Sequence, residues 1–205
     1  MRIIMYLIKE LPNEELLTLY QKYINSHFPA DEVKPLETIE RMLEMDCYYG
    51  LGLYNAEKNY ADWDISELPL IGYAFFVKDK KENMLLLDYF AILEEYRNGG
   101  WGSIFLKQMK SMAETYRGIL LETEDINFAR DEEERQLRER RDSFYTRNGV
   151  IKTNVKSKLF GVNFAIWIYP VREEMSFTEC RESLTNIYKT IVPEPQYNKF
   201  VEIWS

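Results

Sequence analysis

Histidine is nearly missing from this chain. His27 is the only one among 205 residues, and cysteine occurs just twice, as Cys47 and Cys180. A metal site built on several histidines is therefore excluded, and two distant cysteines cannot make a disulfide framework or a zinc cluster. They read as reduced, buried thiols. A Cys–His nucleophilic pair would need one of them to meet His27 in space, yet His27 sits in Ser26-His27-Phe28-Pro29, a pattern that ends helices. Long apolar runs are also lacking: Met84 to Leu87 and Phe164 to Ile168 fall far short of the ~20 residues that span a bilayer. The segment Met1 to Ile8 meets charged Lys9 and Glu10 at once and offers no small-residue cleavage site, so it reads as a first strand of a cytoplasmic protein with no membrane association. Positive charge is in deficit, with 26 Lys and Arg against 34 Asp and Glu and a formal net charge of −8. That balance lacks the basic footprint of a nucleic-acid-binding protein and suits a soluble protein that meets a cationic substrate.

What the chain does have is core-forming material, 46% hydrophobic and 15% aromatic, enough for one domain spanning residues 1–205. The first strand is followed by an acidic helix opening at Pro12-Asn13-Glu14-Glu15, with Leu16, Leu19, Tyr20, Tyr23 and Ile24 at helical spacing. Pro29 ends that helix, and Leu36, Ile39, Met42 and Leu43 form a second helical stripe behind Pro35. Cys47 to Tyr54, Leu70 to Val77 and Asn83 to Leu93 are aromatic-rich, strand-like runs and predict an antiparallel meander, with a polar linker from Asn55 to Pro69 and a charged connection from Lys78 to Glu82. After Gly102 the period changes to helical through Ile104, Phe105, Met109 and Met112, then returns to a strand at Ile119 to Leu121, which implies a parallel crossover. A highly charged helix over Phe128 to Asn148, a strand pair turned near Gly161 and a terminal helix over Phe177 to Ile191 complete the reading.

Chemistry concentrates where the third meander strand ends. Arg97-Asn98-Gly99-Gly100-Trp101-Gly102-Ser103 is a glycine-rich turn that opens a helix. The first N–H groups of a helix have no partners within it and lie at the positive end of its dipole, which makes such a turn a receptor for pyrophosphate. A tight turn that binds nothing would use the same residues. No Lys-Ser or Lys-Thr follows the last glycine, so this is not a Walker A loop, and the spacing is not that of a dinucleotide fingerprint.

The segment matches the Arg/Gln-x-x-Gly-x-Gly/Ala pattern of the GNAT N-acetyltransferases, as Arg97-Asn98-Gly99-Gly100-Trp101-Gly102, with Ile92 on the preceding strand. Glu122-Thr123-Glu124 after the next strand resembles a Leu-Glu-x-Glu landmark of some members. Arg140-Arg141-Asp142-Ser143-Phe144-Tyr145-Thr146-Arg147-Asn148-Gly149-Val150 resembles the Arg-Arg-x-x-Phe-Tyr-x-x-x-Gly-Phe signature. These landmarks cover residues 84 to 160, with Glu94 where many members have proline and Val150 in place of phenylalanine. The resemblance implies an α/β fold with a mixed, mostly antiparallel sheet of six to seven strands flanked by helices, its central strand pair splayed.

The resemblance also implies acetyl-CoA as cosubstrate, no metal, and direct attack of a small-molecule or peptide amine on the thioester. Main-chain N–H groups at Ile92 and Leu93 would face the carbonyl oxygen, and Arg97, Asn98, Gly99, Gly100, Trp101, Gly102 and Ser103 would hold the pyrophosphate. Tyr145 would serve the leaving thiolate, although packing against Phe144 would equally explain an aromatic residue there. Asp88, Glu122 and Glu124 are candidates for the base that accepts the amine's proton, with a salt bridge or a helix cap as the plainer role of each. In the absence of a bulge, strand parity puts Asp88, Phe90 and Ile92 on one face. A non-catalytic acyl-CoA-binding module is the alternative function. The Asp131 to Glu134 run and the charged helix that carries it are a candidate protein-interaction or homodimer surface. Nothing in Met1 to Lys81 names the acceptor.

Overall fold

The computed structural model describes residues 5–56 and 68–205. The expected Asn55–Pro69 linker lies, from 57 to 67, outside the described residues. Eight strands form one sheet, in the order β1-β2-β3-β4-β5-β7-β6-β8. They are β1 (Tyr6–Leu11), β2 (Tyr48–Asn55), β3 (Leu70–Asp79), β4 (Met84–Ile92), β5 (Gly118–Glu124), β6 (Ile151–Leu159), β7 (Val162–Pro170) and β8 (Val201–Trp204). Among the described residues only β4 and β5 pair in parallel; every other neighbour is antiparallel.

Helices cover both faces. α1 (Asn13–His27), α2 (Leu36–Glu44) and α5 (Phe177–Ile191) pack on one face, where Leu16, Tyr20, Ile24, Ile39, Met42, Leu184 and Tyr188 join Met84, Leu86 and Leu120 of the sheet. α3 (Trp101–Met112) and α4 (Glu132–Arg147) cover the other face, with Trp101, Phe105, Met109 and Tyr145 against Leu85, Leu87, Ile119 and Leu121. The alternation of β4 and β5 between these two cores is what buried strands sealed on both sides require. The meander, the crossover and the β6–β7 pair fall where the sequence pattern puts them, and Cys47 and Cys180 are free and buried.

The chain does not end on α5. A short helix, α6 (Glu194–Phe200), leads into β8, which pairs antiparallel with β6 at Lys156–Leu159 and raises the strand count to eight, above the expected six to seven. Val201-Glu202-Ile203-Trp204 does alternate, but four residues behind Pro193 and Pro195 give too short a periodic run to stand out.

The charged helix is not solvated throughout. Arg138 is 6% exposed. It donates to Glu124 Oε1 at 2.8 Å, to Glu134 Oε1 at 2.9 Å and to the Asp125 carbonyl at 2.6 Å. Arg141 adds a 3.3 Å contact to Glu124 Oε2. α4 is thereby tied to the end of β5. Removing Arg138 leaves Glu124 only the longer Arg141 contact and takes the donor from the Asp125 carbonyl, so Arg138→Ala should cost about 2 kcal/mol of unfolding free energy, measured by urea titration. A change within experimental error would show that this network is not a structural lock.

Candidate active site

The central strands part. β4 and β5 pair over Met84–Leu87 and Gly118–Leu121 and no further. Beyond that point β4 stays paired with β3 to Ile92, while β5 stays paired with β7 to Glu124. One more step of the parallel ladder would set Asp88 beside Glu122, and like charges directly opposite oppose pairing. A bulge lies at the same place: Phe75 faces Tyr89 and Phe76 faces Leu87, leaving Asp88 as the extra residue.

The bulge overturns the parity expectation. Before it, Leu85 and Leu87 face α3 and α4; after it, Phe90 and Ile92 do, and Tyr89 and Ala91 face α1 and α5. Asp88 reaches Lys34 and Tyr48, so it lies on the face opposite Phe90 and Ile92.

The three carboxylates have different surroundings. The Asp88 side chain is 1% exposed and accepts from Lys34 Nζ at 2.5 Å and from the Tyr48 hydroxyl at 2.7 Å. Glu124 is held by Arg138 and Arg141. Glu122 has no cationic partner within salt-bridge distance among the described residues; it accepts from the Tyr188 hydroxyl of α5, which also meets Ser157 at 2.9 Å. Burial pushes the Glu122 carboxyl up to about 7, against the opposing pull of the Tyr188 hydrogen bond and the Lys34 charge.

At the end of β4 the Leu93 N–H donates to the Ile71 carbonyl at 2.9 Å. That commits it to β3 and removes it as a donor to a ligand, which corrects the expectation for Leu93. Strand alternation then turns the Ile92 N–H the other way, into the gap left by β5. Arg97 Nε donates to the Ile92 carbonyl at 3.0 Å and ties the loop to the strand.

The loop itself runs through a single 3-10 turn at Glu94–Tyr96 into α3. Asn98 and Gly100 have φ of 61° and 81°. The earliest helical N–H groups to find an acceptor are Ser103 and Ile104, at 3.1 and 3.2 Å from the Gly100 carbonyl. Those of Gly99, Gly100, Trp101 and Gly102 come before any helical acceptor. Gly100 is needed for its left-handed backbone, whereas a Cβ on Gly102 would stand 3.3 Å from the Phe144 ring. Gly102 therefore serves the close approach of α3 to α4 as well. The Trp101 side chain is buried edge-on against Tyr6, 6.2 Å between centroids, which leaves its main chain for the loop.

Tyr145 comes from α4 to the same cleft. It lines a cavity of about 250 Å³ together with Phe90, Ile92, Arg97, Arg141 and Glu122. Its hydroxyl has no hydrogen-bond partner among the described residues, while its ring packs on Phe144 and Trp167 at 5.3 and 6.2 Å. Burial pushes the phenol up to about 12. The expected packing against Phe144 is present, and it leaves the hydroxyl without a protein partner among the described residues.

A second cavity of about 650 Å³ opens on the α1, α2 and α5 side and shares Glu32, Asp88 and Glu122 with the first. Glu32 and Lys34, in the loop between α1 and α2, went unnoticed in the sequence because that region carries no motif. Tyr89 clamps the loop, donating to the Glu32 carbonyl and accepting from the Lys34 N–H, both at 3.0 Å. Tyr188 was equally hidden, inside an ordinary amphipathic helix. A third depression, beside α3, gathers Lys107, Lys110 and Arg147 next to Ser103.

No family model and no curated protein sequence matches the chain. Solved structures do. A Bacteroides thetaiotaomicron protein assigned to the GNAT acetyltransferases is 16% identical, with a TM-score of 0.67 over 90% of this chain and 97% of its own. The ribosomal-protein-S18-alanine N-acetyltransferase of Escherichia coli is 15% identical, with a TM-score of 0.56 over 84% of this chain and 97% of its own. The spermidine N-acetyltransferase of Vibrio cholerae, solved with CoA and spermine, is 10% identical, with a TM-score of 0.54 over 81% and 95%. The splayed parallel pair, the glycine turn into α3 and these likenesses together establish that the chain has the fold of the GNAT acetyltransferases.

Proposed function

We propose that this protein is an acetyl-CoA-dependent N-acetyltransferase that moves the acetyl group directly onto a primary amine. The observation that supports the reading is that Ile92, Arg97, Tyr145 and Glu122 line one cavity at the gap in the sheet, toward which strand alternation turns the Ile92 N–H. The two free, buried thiols suit a reducing, cytoplasmic setting.

The parts divide the work. The main chain at Gly99 to Gly102 and the α3 dipole receive pyrophosphate. Lys107, Lys110 and Arg147, three cations grouped in a chain of net charge −8, supply further positive charge for the phosphorylated end of CoA. The Ile92 N–H donates to the thioester oxygen as negative charge gathers there. Glu122 takes a proton from the ammonium, and the freed amine attacks: the N–C bond forms, the C–S bond breaks, the sulfur leaves with the electron pair, and the second proton that the nitrogen sheds to become an amide passes to the thiolate or to solvent.

Glu122 suits the base because its carboxyl titrates near 7, while Asp88 and Glu124 are tied up by cations. Tyr145 faces the sulfur. With its phenol near 12 and a thiol near ~8.5, complete proton transfer is uphill by about 5 kcal/mol, so its role is a hydrogen bond that steadies the thiolate.

Calorimetry should give a micromolar dissociation constant for acetyl-CoA, about −8 kcal/mol; no heat at millimolar ligand would remove the proposal. Tyr145→Phe should lower kcat by roughly 100-fold with acetyl-CoA affinity and stability nearly unchanged. A kcat within a few-fold of the parent would confine Tyr145 to packing.

The pH profile tests Glu122. Its raised carboxyl is protonated and idle below neutrality, so kcat/KM should rise through about pH 7. Tyr188→Phe removes a hydrogen bond that favours the anion and should move that limb to higher pH. A limb unmoved in Tyr188→Phe and still present in Glu122→Gln would assign the titration to another group.

A further inference from the structure

The larger cavity has a composition that the transferase reading does not by itself require. Its walls are Val33, Leu159, Phe164, Ile191, Val192 and Pro193, and its volume is about 650 Å³, within the range of small-molecule sites. The exposed lining residues Asp31, Glu37 and Gln196 mark its rim. Lys34 pairs with Asp88, and Arg41 is held to the Ile191 carbonyl at 2.6 Å and forms no ion pair with Glu32 or Glu122. At the end shared with the acetyl cleft, Glu122 and Glu32 have no cationic partner within salt-bridge distance among the described residues, and Glu32 Oε1 is buried with no hydrogen-bond partner.

Negative charge is thus concentrated at one end of a cavity whose body is hydrocarbon. Resting on the transferase reading above, we propose that the acceptor is a primary amine carried on an apolar body, its ammonium received by Glu32 and Glu122 and its hydrocarbon lying along Leu159, Phe164 and Ile191. A polyamine or an aminoglycoside needs acceptors along its length. Along Leu159, Ile191 and Val192 a second ammonium would meet no acceptor short of the exposed rim, where Asp31 and Glu37 stand in water and an ion pair gains little. An ammonium on Glu32 satisfies the oxygen that otherwise stands alone.

Hexylamine and 1,6-diaminohexane have the same chain and differ by one ammonium, so they make the decisive pair. With acetyl-CoA saturating, kcat/KM should favour hexylamine by about tenfold, because the diamine's second charge finds no buried partner. Calorimetry of hexylamine into the CoA-saturated protein should show a negative heat-capacity change, the mark of apolar burial. Glu32→Gln should raise KM for hexylamine about tenfold with kcat nearly constant. Leu159→Glu, at a half-exposed wall position, should shrink or reverse the preference by offering the second ammonium a partner. Equal or better turnover of the diamine by the parent protein overturns the assignment, as does bound acetyl-CoA with turnover of neither amine. Failure to bind acetyl-CoA defeats the transferase reading itself, and this assignment with it.

Discussion

The candidate site of this molecule depends on two neighbouring strands that stop pairing. β4 and β5 run in parallel for four residues and then follow their outer partners, β3 and β7, in different directions. The parting has local causes: a bulge at Asp88 and a pair of acids where the next rung would form. It leaves the main chain at Ile92 facing a gap where another sheet would have a strand. It also joins the two faces, since the cleft beside Tyr145 and the cavity beside α5 share Glu32, Asp88 and Glu122. A donor on one side can thereby meet an acceptor from the other.

The distribution of charge follows from that geometry. The chain is acidic overall, yet its cations near the gap have particular tasks. Lys34 neutralises Asp88, and Arg138 and Arg141 neutralise Glu124 while pinning α4. These pairings withdraw two of three adjacent carboxylates from chemistry. Glu122 is left with a phenol for a partner, which stabilises its anion without fixing it, and so its proton is exchangeable near neutrality. A cation in place of Tyr188 would hold the carboxylate ionised and make it a weaker base.

The parts legible in the sequence were those set by local rules. The glycine turn into α3, the crossover and the apolar, aromatic-rich runs of the meander each depend on residues adjacent in the chain, and Tyr145 is marked by the pattern around it. What stayed hidden depends on pairing across long separations. Nothing near Asp88 in the sequence announces Lys34 or Tyr48, and the bulge that turns Asp88 away from Ile92 exists only because β3 fixes the register on its other side. Leu93 lost its assumed role to a carbonyl 22 positions earlier, at Ile71. Gly102 looked like a glycine for a phosphate, and the packing of Phe144 against it could not be read without α4 in place.

The same burial that readies Glu122 works against the fold. Glu122 and Glu32 are each pushed from the usual carboxylate range up to about 7, both chiefly by desolvation. A carboxyl whose folded value lies above its unfolded one favours folding fully only below the unfolded value, and that contribution is lost as pH rises through the folded value. Between pH 4.5 and 7, then, the protein gives up stability at the acids that would meet the amine. A bound ammonium changes the sign of this effect. It offers the buried carboxylates the partner that the folded chain withholds, so acceptor and fold stabilise each other, and the acceptor binds more tightly as those carboxylates ionise. Such coupling follows when a site is dry enough to shift its acids and has no cation of its own to spare for them.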